Sequence, residues 1–141
     1  MFSSVVVGTD GSATANEAVR RAMELAKLFG ATLHVVTVYK PKPVRVSDVP
    51  EEFREYLGAG GKADSLLEDL GSRAKAAGIT VQGHAETGDP AEAIVRVAEQ
   101  ENADVVVVGN KGMVGVRRVL GSVPNSVAHQ APCSVLIVQT T

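Results

Sequence analysis

The sequence predicts an α/β domain, with an open parallel sheet and helices packed on both faces. Three observations lead there. Strand-like segments alternate with helical ones along the whole chain. Two strand-like segments, with valine at 5–7 and at 105–108, are apolar throughout rather than alternating, as strands covered on both faces are. Glycine-bearing turns follow these two segments and lead towards helix starts.

The elements follow in order. Residues 4–9 (SVVVGT) are β-branched and stop at Asp10-Gly11-Ser12, a turn that ends in a good N-cap. From Ala13 to Phe29, apolar residues at 15, 18, 19, 22, 25, 26 and 29 mark one helical face, and Gly30 provides the stop. Residues 32–39 (TLHVVTVY) read as the second strand. Residues 40–50 carry three prolines and no period, so they are expected as loop, with a short helix over 51–57 broken by glycines at 58–61. Residues 62–77 form the next predicted helix, closed by Gly78, and residues 80–86 the third strand. Gly88-Asp89-Pro90 is a turn with Asp89 as N-cap and Pro90 at the first helical position, and the helix continues from Ala91 to about Asn102. Residues 104–108 are the fourth strand, residues 122–130 a last short helix and residues 134–139 the fifth strand.

Bulk composition narrows the function classes. A chain of 141 residues suits one domain, taken as residues 1–141. Hydrophobic residues at 45% and charged residues at 21% describe an ordinary globular mix. A net charge of −2 argues against nucleic acid or an anionic membrane as partner. Aromatic residues at 4%, with no tryptophan, argue against stacking platforms for single strands. No apolar run approaches the roughly 20 residues of a membrane span, and the start, MFSSVVVGTDGS, lacks the basic and small-residue marks of a signal peptide. The single cysteine, Cys133, fits a reducing compartment, and the cytoplasm is the expected location.

In open parallel sheets ligands sit beyond the carboxyl ends of the strands, where strand order reverses. Two loops at that end carry chemistry: residues 8–12 after the first strand and residues 109–122 after the fourth. In the second loop, Gly109-x2-Gly112 is followed after eight residues by Gly121-Ser122. Glycines let backbone N–H groups approach an anion, and a helix N-terminus adds free donors and a positive dipole. Lys111, Arg117 and Arg118 offer positive charge, either to phosphates or to the surface. The spacing matches neither the P-loop nor Gly-x-Gly-x-x-Gly, so generic reasoning leaves a phosphate cradle and a plain loop both open. In the first loop, Asp10 either accepts from a ribose hydroxyl or an adenine amine, or caps the first helix, a task that Ser12 can also perform.

The remaining chemical residues read as structural. His34, His84 and His129 show no metal-ligand spacing, and no metal site is expected among them. Cys133 is expected to pack as a small hydrophobe.

Taken together, the opening VVVGTDGS, the GDP turn, the glycine loop and the ending GSVPNSVAHQAPCSVLIV resemble the universal stress protein family, in its ATP-binding subgroup. The resemblance spans the chain apart from the stretch after the second strand. It implies five parallel strands in order 3-2-1-4-5 and a homodimer paired through the fifth strand, from Ser134 to Gln139. It also implies an adenine nucleotide, ATP, with Mg2+ or Mn2+ bridging its phosphates. Thr9 and Asp10 would lie near adenine and ribose, Val38 against the adenine ring, and Val108 and Gly109 at base and ribose. Gly112, Gly121, Ser122 and Val123 would hold the phosphates, with Lys111 and Arg117 beside them. The family motif has nine residues between its second and third glycines, whereas this chain has eight. The shorter loop bears on the outer phosphates more than on adenine.

The implied function is a dimeric, nucleotide-binding stress-response regulator or sensor. The alternatives are a cyclic AMP-binding member, a slow ATPase and a nucleotide-free interaction scaffold. The glycine loop holds no carboxylate or histidine to orient an attacking water, which weighs against hydrolysis, and no catalytic residue is assigned.

Overall fold

The computed structural model describes residues 1–39, 61–110 and 120–140. The loop and short helix expected at 40–57, together with Lys111, Gly112, Arg117 and Arg118, lie outside the described residues.

The described chain runs β1 (Ser4–Gly8), α1 (Ala13–Phe29), β2 (Thr32–Tyr39), α2 (Gly61–Ala76), β3 (Val81–Thr87), α3 (Pro90–Gln100), β4 (Val105–Gly109), α4 (Ser122–Gln130), β5 (Ser134–Val138). The five strands are ordered β3-β2-β1-β4-β5 and every pairing is parallel. The expected class and strand order are therefore those observed.

Valine runs fill the centre of the sheet. Val5, Val6 and Val7 of β1 and Val106 and Val107 of β4 are wholly buried. Because side chains alternate along a strand, each run feeds two cores. Val5, Val7, Leu33, Val35, Val105 and Val107 meet Ala18, Val19, Ala22 and Ala26 of α1 and Leu70 and Ala74 of α2. Val6, Val36, Val106 and Val108 meet Ala91, Ala93, Ile94, Val97 and Ala98 of α3 and Val127 of α4. Each fully buried valine contributes about 1.5–3 kcal/mol. The β3 edge is only partly covered, in keeping with its mixed sequence VQGHAET.

Caps fix the helix ends as the sequence indicates. Ser12 Oγ accepts from Ala15 N–H at 3.2 Å at the start of α1, and Gly30, at φ +64°, donates its N–H to Ala26 O at the end. Asp89 accepts from Glu92 N–H at 3.1 Å, with Pro90 opening α3.

The boundaries move by a residue or two. β1 ends at Gly8 rather than residue 9, because Thr9 turns the chain: its Oγ1 accepts from Gly11 N–H at 3.1 Å. α3 ends at Gln100 rather than near residue 102, since Asn102 adopts φ +49°. β4 starts at Val105, not Asp104, whose carboxylate is committed to the N–H groups of Ser3 and Ser4 at 2.7 and 3.0 Å. β3 is shifted one residue forward and β5 ends at Val138.

Candidate functional site

A cavity of about 220 Å3 opens at the carboxyl ends of β1, β2 and β4, between the N-termini of α1, α3 and α4. It sits where the strand order reverses, because β1 is followed outward by β2 on one side and β4 on the other. Val36, Val38, Val108, Ile94, Ala15 and Ala18 supply an apolar lining, while Thr9, Asp10, Ser12, Thr14 and Thr140 contribute polar groups.

Local sequence sets each wall. Gly8 stands where β1 passes α3: a Cβ there would lie 2.5 Å from Ile94 Cδ1. Gly11 takes φ +83°, the left-handed turn that swings the chain into α1. Within that turn Asp10 Oδ1 accepts from Ser12 N–H at 2.9 Å, and Ser12 Oγ lies 3.2 Å from Thr14 Oγ1. Ser12 therefore performs the capping, and Asp10 braces the turn from an exposed position on the cavity wall.

At the other wall, Gly121 precedes α4 with no side chain capping the helix start. Among the described residues, no side chain caps the N-terminal donors of α4, in contrast to α1 and α3. Val123 and Pro124, in the first turn of α4, reach the cavity.

The expected site residues Thr9, Asp10, Val38, Val108, Gly109 and Val123 come together around this one cavity. Gly121 and Ser122 open the adjoining helix rather than lining the cavity itself. Lys111, Gly112 and Arg117 belong to the part of the loop outside the described residues.

Sequence reasoning missed several contributors. Pro90, Ile94 and Thr140 all line the cavity. Asn110, only 2% exposed, ties two of its walls together. Its Oδ1 accepts from Thr140 N–H at 2.7 Å and from Thr140 Oγ1 at 2.9 Å, and its own N–H donates to Val138 O at 2.9 Å. An asparagine directly after a four-valine strand was the available signal, since a polar side chain there needs partners.

Away from the cavity, two of the three histidines expected as structural meet. His34 Nδ1 and His84 Nε2 lie 3.0 Å apart, with the ring centres 5.2 Å apart. Burial lowers the His34 pKa, opposed by the Glu101 charge, so its uncharged form is favoured. Cys133 is half-buried, and that burial, with Asp104 nearby, raises its thiol pKa; packing is the role this supports. Among the described residues no helix is long and apolar enough to cross a membrane.

A doubly covered parallel sheet in this order, with a cavity bounded by the first strand's turn and the start of the last helix, defines an α/β protein with a cavity at its strand ends. A model of the universal stress protein family matches residues 1–139, and the chain belongs to that family. It is 37% identical over 144 aligned residues to universal stress protein Rv1636 of Mycobacterium tuberculosis, covering 99% of this chain and 98% of that one. It is 32% identical to universal stress protein MJ0531 of Methanocaldococcus jannaschii, over 99% of this chain and 83% of the relative. Among solved structures, a universal stress protein in complex with cAMP superposes with TM-score 0.76 at 39% identity, covering 99% of each chain.

Proposed function

We propose that the protein binds an adenine nucleotide, ATP, in the cavity at the strand ends and acts as a dimeric stress-response regulator. The observation that carries this reading is the convergence of an apolar slot, a carboxylate-bearing turn and a side-chain-uncapped helix start on one cavity. The base lies between Val38 and Val108. Asp10 accepts from ribose or base. The start of α4, with Gly121 and Ser122, meets the phosphates through backbone N–H groups and the helix dipole. By sequence position, Gly112, Lys111 and Arg117 complete the anion contacts in this reading, and Mg2+ or Mn2+ bridges the phosphates.

Asp10 is the single titratable side chain among the described residues lining the cavity. It belongs to the base end and already accepts from Ser12 N–H. Binding rather than hydrolysis is the chemistry this supports, because in-line attack requires a positioned water.

A second nucleotide has specific support: the solved relative at 39% identity holds cAMP. Cyclic AMP presents the same base and ribose but one compact phosphate, and it asks less of a loop one residue short.

The homodimer forms through β5, the sheet edge at which Leu136 and Ile137 are 41% and 39% exposed. An unpaired edge with large apolar side chains is a template for strand pairing. The cytoplasm is the compartment that suits the lone thiol.

The test is Gly121→Val. Gly121 has φ −59°, which any residue adopts, so the variant should fold. Its side chain enters the space the phosphates need, and ATP binding is expected to be lost. A folded Gly121→Val protein with unchanged ATP affinity refutes the assignment.

A further inference from the structure

The β2–β3 edge, from the start of β2 to the middle of β3, gathers a second group of chemically capable side chains. His34 is the third residue of β2, and its ring nitrogen meets His84 of β3. The register pairs Val36 with His84 and His34 with Gln82, so the two histidines stand diagonally on the face covered by α3 and α4. Glu101, at the end of α3, brings a carboxylate to the same point: one ligand atom from each of the three residues lies within 4.8 Å of the other two.

We propose that His34, His84 and Glu101 form a binding site for one divalent transition-metal ion, Zn2+ by ligand class, distinct from the nucleotide cavity. Two imidazole nitrogens and a carboxylate oxygen are a set that tetrahedral zinc accepts, with a fourth position left to water.

The geometry is close to what the ion requires. Zinc–nitrogen bonds of about 2.0–2.1 Å at a tetrahedral angle hold two nitrogens about 3.3 Å apart. The observed separation is 3.0 Å, so a spread of a few tenths of an ångström admits the ion in place of the shared hydrogen bond. Two of the three ligands are anchored. His34 is 3% exposed and lies between β1 and β3, paired in register with Val6 on one side. Glu101 is fixed through its backbone: its N–H donates to Val97 O at 2.9 Å, and its carbonyl accepts from Ser4 Oγ at 3.2 Å. His84 and Glu101 are only partly buried, which leaves the ion an approach and the fourth ligand a place.

His84 pairs in register with Val36 of the cavity lining, while Glu101 sets the site towards the amino ends of the strands. Ser4, which holds Glu101, begins β1, whereas Gly8 and Thr9 at the far end of that strand line the cavity. Mg2+ bridging nucleotide phosphates would occupy the other end of the sheet.

The experiment uses the full chain freed of nucleotide and stripped of metal by chelator. Calorimetric titration with ZnCl2 should show one ion per chain. Co2+ in its place should give the intense visible absorption of a tetrahedral site. His84→Ala, on the half-open edge strand, and Glu101→Gln should each remain folded by circular dichroism. Each should weaken Zn2+ binding by about 100-fold or more, since loss of even a supporting outer partner costs 10–100-fold. ATP affinity should be unchanged in Glu101→Gln, whose residue sits at the far end of β1 from the cavity. Wild-type protein that takes up no stoichiometric Zn2+ overturns the proposal. So does wild-type Zn2+ affinity in either variant, the outcome expected if Cys133 or His129 were the ligand.

Discussion

Asn110→Ala tests how the fold holds the cavity together. The wild-type amide oxygen accepts two hydrogen bonds from Thr140, at 2.7 and 2.9 Å, and the residue is 2% exposed. Alanine removes both and keeps the backbone bond from residue 110 to Val138 O at 2.9 Å. At about 0.5–1.5 kcal/mol net for each bond, the loss is about 1–3 kcal/mol. Thr140 is partly exposed, so water can reach its freed donors, which favours the lower half of that range. For a chain of this size each kcal/mol lowers Tm by about 3–4 °C, and chemical denaturation should show a lower midpoint at unchanged m-value. Thr140→Ala removes only the hydroxyl bond and should cost less. The double variant should cost less than the sum, because either change alone already deletes the hydroxyl contact. ATP affinity should also fall in Asn110→Ala, since Thr140 lines the cavity. An unchanged unfolding midpoint, or strict additivity with Thr140→Ala, would refute the reasoning.

Three further outcomes follow from other parts of the structure. Gly8→Ala places a Cβ 2.5 Å from the buried Ile94 Cδ1, so overpacking of about 1–3 kcal/mol is expected in denaturant titration, together with weaker ATP binding. Ile137→Glu puts a charge on the exposed β5 edge and should leave a folded monomer by light scattering; a persistent dimer counts against strand-five pairing. Asp104 has its pKa lowered, chiefly by the N–H groups of Ser3 and Ser4. Its stabilising contribution is therefore complete above the ordinary carboxylate range and is lost as pH falls through the lowered value. An Asp104→Asn protein should show a flatter acid limb in stability against pH, and an identical acid limb contradicts the assignment.

Much of the fold was legible because its signals are local. The valine runs at 5–7 and 105–108 announced strands covered on both sides, and Ser12, Gly30, Asp89 and Pro90 marked helix ends through caps that need only neighbouring residues. Strand ends were less legible: Asp104 is drawn to the distant N–H groups of Ser3 and Ser4, and Thr9 keeps a ladder bond to Val36 O while its hydroxyl accepts from Gly11 N–H in the turn. Half of the cavity was visible in the turn after β1 and the residues at the ends of β2 and β4. The Asn110–Thr140 clasp spans 30 positions and the His34–His84 pair 50, and each depends on strand register that no local pattern encodes. The family resemblance supplied the strand order, which alternation of strands and helices alone does not determine.

Whether the strand-end cavity holds an adenine nucleotide is open to direct measurement. Calorimetry with ATP, ADP, AMP and cyclic AMP, each with and without Mg2+, tests it most directly. ATP should bind saturably and one-to-one, and Gly121→Val should abolish that binding. Absence of binding by all four nucleotides to folded wild-type protein would contradict it.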